Sequence, residues 1–302
     1  MNFGFTEEQN LLRDQVRRFM TEQCSMAKVR ELMASEDGMD KALWQQVADL
    51  GWLGLTVPEH HGGLGLRWID LTVVLEETAR GLCPLPIASQ ALSMAAILRC
   101  GSEQHKADWL PAMASGDAIC ALGLYDEPNW IDPAAITLTG TAAADGGIAI
   151  TGSKPFVPNA MGAEYLLLAV NTPDGLALAG LASDQAEIVN QPQMDRSKPV
   201  ARVTLNDVVI PRENVLPMTE SDLQYLTDVG AVVITAEMVG AAEAALHMTS
   251  EYAKERIQFG KPIGQYQGVK HRLADLYVDV ESFKSLAYYA AWTVDEAPDE
   301  LP

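Results

Sequence analysis

The stretch YAKERIQFGKPIGQYQGVKHRLADL, Tyr252–Leu276, gathers Lys254, Arg256, Lys261, Lys270 and Arg272 around one turn in a chain whose formal charge is −20. Before it, Val229, Val232, Val233, Ala236, Val239, Gly240 and Ala244 are small or apolar, which predicts a helix from Glu220 that is buried on several sides. After it, a second helix is expected from near Gln265 to about Trp292. The spacing predicts that the first helix reaches Gln258 and stops at Phe259-Gly260, with Pro262 just beyond. Arg256 and Phe259 would then project from one side of the last turn, flanked by Gln258 and Lys261. A guanidinium, a ring and an amide presented together suit a phosphate-bearing planar ligand. Cations complementing a helix C-terminus, with Phe259 filling core, account for the same residues, and the physics alone leaves both open.

Working outward, the first third is helical. Thr6 and Gln9 form a capping box, Leu12, Val16, Phe19 and Met20 share a face, and Trp68–Arg80 is a helix broken by CPLP. From Ile119 to Pro217 the pattern changes to short runs: ICALGLY, AITLTGTAAA, GIAITG, EYLLLAV, GLALAGLA and ARVTLNDVVI. No helix of adequate length lies between them, so an antiparallel sandwich or small barrel is expected rather than a parallel βαβ sheet, with ADGGIAI making a hairpin turn. The fold class is therefore α+β. Its expected domains are an N-terminal helical domain (1–117), a middle β-domain (118–217) and a C-terminal helical domain (218–302).

Three hundred and two residues, 48% of them hydrophobic, can bury a substantial core. Forty-one acidic against 21 basic residues argue against nucleic acid or an anionic membrane surface as partner. No run approaches the about 18 uninterrupted apolar residues of a membrane span, and no signal peptide opens the chain, so a cytoplasmic protein is expected. Cys24, Cys83, Cys100 and Cys120 are widely spaced and are expected to be buried thiols. His60 and His61 have no further ligand spaced to join them on a metal. GGLGL, Gly62–Leu66, lacks the third glycine and the strand-to-helix setting of a dinucleotide fingerprint and is read as a turn. No nucleophile or zinc signature is present, and no carboxylate pair stands out by spacing.

The order α, β, α, with ITAEMVGAAEAALHMTSEYAKERIQFGKPIGQYQGVKHRLADL, resembles the acyl-CoA dehydrogenase family along essentially the whole chain. FTEEQNLLRDQVRRF is similar to that family's first helix, LGWLGLTVPEHHGGLGL to its helix-to-loop passage, and LNDVVIPRENVL to the end of its β-domain. The resemblance implies FAD as cofactor and an acyl-CoA thioester as substrate, with a carboxylate taking the α-proton while the β-hydride goes to the flavin. It implies that Arg256, Gln258, Phe259 and Gln267 contact FAD held by a neighbouring subunit, and that Asp126, Phe156 and Val157 lie at the chain's own flavin segments.

Departures from the family fall on those own segments. Where Thr-Glu-Pro and a small-residue turn are usual, the chain reads YDEPNWIDP, so Asp126 replaces a hydroxyl donor and Asn129, Trp130 and Ile131 occupy the turn. Where Trp-Ile-Thr is usual, Phe156-Val157-Pro158 stands, and Pro158 has lost both hydroxyl and backbone donor. Positions that carry an arginine, and in some members the catalytic glutamate, read Gly230 and Ala231. In other members that glutamate lies farther on, beyond Pro302, so the C-terminal domain is expected to be incomplete beside the family. Asp228 and Glu237 are the nearest carboxylates. Glu237 stands about 10 Å along the helix from Gly230, too far for simple replacement, so no catalytic base is assigned.

Retention and loss thus segregate by the subunit each site would serve, and the chain resembles the shorter partner in acyl-CoA dehydrogenases built from two unlike chains, notably among steroid-degrading bacteria. The expectation is a subunit of a heteromeric enzyme alongside a complete partner chain. A self-sufficient homo-oligomer with more chain past Pro302, a non-enzymatic scaffold, and an oxygen-using flavoprotein of the same fold stand as alternatives.

Overall fold

The computed structural model describes residues 5–35, 38–126, 135–144 and 146–301. Among them are eight α-helices: α1 (Glu7–Gln23), α2 (Met26–Ala34), α3 (Lys41–Asp49), α4 (Trp68–Arg80), α5 (Ile87–Cys100), α6 (Glu103–Ala114), α7 (Glu220–Glu255) and α8 (Gln267–Glu296). The strands are β1 (Cys120–Gly123), β2 (Gly140–Ala142), β3 (Ile148–Pro158), β4 (Tyr165–Thr172), β5 (Gly175–Ala182), β6 (Glu187–Gln191), β7 (Val200–Ile210), β8 (Val215–Pro217), β9 (Ile257–Gln258) and β10 (Lys261–Pro262). This is the expected α, β, α order. Compactness does not follow it: Met1–Met26, Arg67–Cys83 and Ala231–Pro302 form one unit, Ala27–Leu66 and Pro84–Gly230 the other.

In the first unit, the expected capping box starts α1. Gln9 N donates to Thr6 Oγ1 (3.2 Å) and Thr6 N to Gln9 Oε1 (3.1 Å), while Gln9 Nε2 reaches Asp70 Oδ1 on α4 (2.8 Å). Helix α4 brings Glu76 and Glu77 into the interior, and each is met by cations. Arg17 grips Glu77 through two nitrogens, at 2.9 and 2.5 Å, and Lys284 Nζ lies 2.7 Å from Glu76 Oε1. Burial pushes the Glu76 carboxyl up, and Lys284 and Arg13 oppose that shift. Helix α7 passes α4 at Gly240, where an added Cβ would lie 1.9 Å from the Glu76 carbonyl oxygen, so only glycine permits this approach. Among the described residues, α7 is the one helix long and apolar enough to cross a membrane by length and composition. Glu243 lies within it, 3.2 Å from Arg80 and 3.6 Å from Lys284.

The second unit holds two four-stranded sheets, ordered β1-β4-β5-β8 and β2-β3-β7-β6. Pairing is antiparallel as expected, except that β1 runs parallel to β4, with Cys120 opposite Tyr165. Between β2 and β3, where the ADGGIAI turn is expected, Gly146 takes the left-handed conformation (φ 84°) and its N–H donates to Ala143 O (3.1 Å); Asp145 lies outside the described residues. Buried Gln90 of α5 fixes the start of β1: its amide donates to Met113 O (2.9 Å) and Ala118 O (2.8 Å), and its carbonyl accepts from Cys120 N (3.0 Å). Strand β3 is longer than the GIAITG run, reaching Pro158 through a bulge between Lys154 and Val157. A bulge accommodates Pro155, because an unpaired residue needs no N–H for the ladder.

Candidate functional site

The basic elbow is a hairpin rather than the predicted helix end. Helix α7 stops at Glu255, and Arg256 N makes a last helical bond to Tyr252 O (2.8 Å). Then β9 pairs with β10, Gln258 opposite Lys261 and Ile257 opposite Pro262, while Arg256 O accepts from Ile263 N (2.8 Å). Phe259 and Gly260 both have positive φ, 50° and 80°, as a two-residue type I′ turn demands. The expectation of a helix to Gln258 is thereby corrected: the pairing of β9 with β10 turns the chain back before another helical turn can form. Glycine takes such a φ freely, whereas at Phe259 it costs roughly 1–3 kcal/mol. Nor does Phe259 fill core, since it is 95% exposed. Arg256, Gln258, Lys261 and Gln267 are exposed with it, and Gln267 is the first residue of α8.

The β-domain segments are arranged differently. Asp126 is buried; its Oδ1 lies 2.6 Å from Lys154 Nζ, and its Oδ2 accepts from Leu138 N (2.9 Å) and from Thr137 N. Gly123 makes room for the lysine, because an added Cβ there would meet Lys154 Cγ at 3.0 Å. Burial pushes the Lys154 ammonium pKa down, opposed by Asp126. Phe156, with φ 58°, spends its N–H on Gln191 Oε1 (2.8 Å). Val157 is fully buried and its backbone pairs with Ala201; Pro158 follows with no N–H to give. Asn129, Trp130 and Ile131 lie outside the described residues. Sequence reasoning missed Lys154 as Asp126's partner and Tyr266 as a contact of the elbow, because lysine ordinarily reads as surface and neither pairing follows a spacing rule.

The remaining candidates add no second centre. Asp228 accepts from Gln224 Nε2 one helical turn away (2.8 Å). No group of three or more potential metal ligands occurs among the described residues. A cleft of about 440 Å³ beside α6 and β4 contains none of the predicted site residues. Its Asp108, Asp117 and Glu164 each accept a bond from their own surroundings, from Gln104, Ser115 and Ile119 N.

Residues 6–117 match the family described as acyl-CoA dehydrogenase, N-terminal domain, and residues 223–301 match acyl-CoA dehydrogenase, C-terminal domain. The acyl-CoA dehydrogenase IpdE2 of Mycolicibacterium smegmatis is 32% identical over 284 residues, 94% of this chain and 76% of that protein. The chain belongs to the acyl-CoA dehydrogenase family. IpdE2 of Mycobacterium tuberculosis is 30% identical, covering 93% of this chain and 74% of its own. Among solved structures, the ChsE4-ChsE5 complex from Mycobacterium tuberculosis superposes with a TM-score of 0.89 at 28% identity, covering 99% of this chain and 80% of that one.

FAD is the cofactor of the acyl-CoA dehydrogenase family, and the two sets of residues fit it unequally. The elbow fits: Arg256, Gln258 and Gln267 offer exposed polar side chains beside an exposed ring, suited to a nucleotide that carries a pyrophosphate. The described β-domain positions fit less well: Asp126 is a carboxylate engaged on both oxygens, the Phe156 N–H is taken by Gln191 and Pro158 has none, so these three offer a flavin no free donor.

Proposed function

We propose that this chain is one subunit of a heteromeric, FAD-dependent acyl-CoA dehydrogenase and lends its elbow to FAD bound mainly by a complete partner chain. The observation that carries this reading is a contrast within one chain: Asp126 is closed off by Lys154, while Phe259 stands 95% exposed. When bound, FAD takes up the hydride from the β-carbon of the acyl-CoA thioester. This chain's residues bind and orient: Arg256 is placed to pair with phosphate oxygens, Gln258 and Gln267 to hydrogen-bond, and Phe259 to cover a ring face.

Tyr252, Ile257 and Phe259, all large and more than half exposed, give the elbow an apolar surface suited to a protein interface as well as to a nucleotide. An exposed elbow would serve a homo-oligomer equally. The unlike partner is favoured by Asp126, because a carboxylate closed off by Lys154 gives a flavin no donor at that position, and a partner chain that keeps a hydroxyl there would supply one.

Arginine 256 tests the reading. In the complex reconstituted with a complete partner chain, Arg256→Ala should weaken FAD binding roughly 10- to 100-fold, the worth of a charge-assisted hydrogen bond. Unchanged flavin affinity would mean that the elbow does not meet FAD and would favour a scaffold.

A further inference from the structure

One side chain outside the set assigned above touches most of the elbow. Tyr266 Oη donates to Gln258 O (2.8 Å) and lies 3.4 Å from Phe259 O. Its ring meets the Phe259 ring edge-on, with centroids 6.4 Å apart, and carries Lys261 Nζ 4.5 Å above its centroid. Three of the four residues of the Gln258–Lys261 turn are thus held by a single residue.

That residue is itself anchored. Tyr266 N donates to Ile263 O (3.1 Å), and Tyr266 O accepts from Val269 N (3.1 Å) and Lys270 N (2.9 Å), which makes it the N-cap of α8. On the other side, Gly264 lies against Ala253 of α7, where an added Cβ would meet the Ala253 carbonyl oxygen at 3.0 Å. The segment that follows the hairpin is therefore held to α7 through Gly264 and to α8 through Tyr266, and Gln267 follows directly on Tyr266.

The need for such a tie comes from Phe259. Its left-handed backbone is unfavourable for a residue with a Cβ, and its exposed ring gains nothing from burial in this chain. Left to local preference the turn would relax. We propose that Tyr266 is the positioning residue of the elbow: its hydroxyl and ring hold the Gln258–Lys261 turn in the conformation that presents Phe259 and Gln258 for binding. The proposal rests on the reading that the elbow meets FAD, and it adds a residue that acts through the elbow rather than on the flavin.

Trypsin reports the turn without any flavin. Arg256–Ile257 is a cleavable bond at its entry, whereas Lys261–Pro262 resists because proline follows the lysine. In the full-length chain, Tyr266→Phe removes only the hydroxyl and should speed cleavage after Arg256 about 2- to 10-fold relative to the chain's other sites, the worth of one hydrogen bond. Tyr266→Leu should speed it further. Cleavage at the wild-type rate in both variants overturns the proposal.

A second measurement separates positioning from local packing. In the reconstituted complex, Tyr266→Phe should weaken FAD binding by a similar factor while leaving the KM for acyl-CoA unchanged. Faster cleavage with unaltered FAD affinity, in a complex where Arg256→Ala does weaken it, overturns the positioning role. If Arg256→Ala leaves FAD binding intact, the flavin reading fails, and the cleavage ratio still decides whether Tyr266 holds the turn.

Discussion

Lys154 Nζ lies 2.6 Å from Asp126 Oδ1, and neither side chain reaches solvent to more than 4%. The pair joins the segment that follows β1 to β3 inside the β-domain, at the two segments where the family resemblance led us to expect flavin contacts. A carboxylate that would repel a phosphate or an electron-rich ring has instead become internal structure, held by a lysine and two backbone amides.

Breaking this pair from one side should be costly. Asp126→Asn keeps an acceptor for Leu138 N but leaves the Lys154 ammonium buried without its counter-charge. A loss of about 3–5 kcal/mol is expected in urea unfolding. Adding Lys154→Met to that variant removes the orphaned charge and should recover at least half of the loss. Additive losses in the double variant would show that the two residues do not act as a pair.

Gly240 offers a test of the α4–α7 approach. In an open helix Gly→Ala stabilises by about 1 kcal/mol through helix propensity. Here the new Cβ would sit 1.9 Å from a carbonyl oxygen of the neighbouring helix, and backbone cannot swing away as a side chain can. Overpacking typically costs about 1–3 kcal/mol, and a backbone clash this close belongs at or above the top of that range, so the sign reverses. Gly240→Ala should lower the thermal midpoint; a raised midpoint would contradict the observed packing.

Asp295 gives a pH signature. Its Oδ2 accepts from Trp68 N (2.8 Å) at the start of α4, and enclosure pushes its pKa up to about 6, with the Trp68 N–H and Arg67 opposing. A carboxyl whose folded pKa lies above its unfolded one binds its proton more tightly when folded. Its contribution therefore favours folding at low pH and is lost as pH rises through about 6. The residue is exposed overall, so solvent screens part of the effect. Asp295→Asn keeps an acceptor for Trp68 and removes the titration. The variant should gain stability over the wild type as pH rises from 4 to 7, and a difference that stays flat across this window would contradict the assignment.

Local rules made much of this fold legible. The Thr6–Gln9 box, the Trp68–Arg80 helix and the alternation in ARVTLNDVVI all appear where short-range chemistry puts them. The strands that escaped notice lack that chemistry: β6 is a polar edge strand, EIVNQ, and β8 has three residues. The elbow misled in another way. Two residues of β9 are too few to break a helical pattern, and a left-handed Phe259 cannot be foreseen from propensity. Its basic and aromatic content was still legible, because exposure at a turn leaves side chains doing what their chemistry suggests. Lys154 was not, since only the packing of β1 against β3 turns a surface-type residue inward.

The measurement that bears most directly on the division of labour is a flavin titration of the purified chain, alone and mixed with a complete partner chain. Alone, the chain should take up no stoichiometric FAD and show no bleaching with acyl-CoA, whereas the mixture should bind one FAD for each partner chain. Tight one-to-one FAD binding by the isolated chain, bleached by an acyl-CoA, would contradict the account.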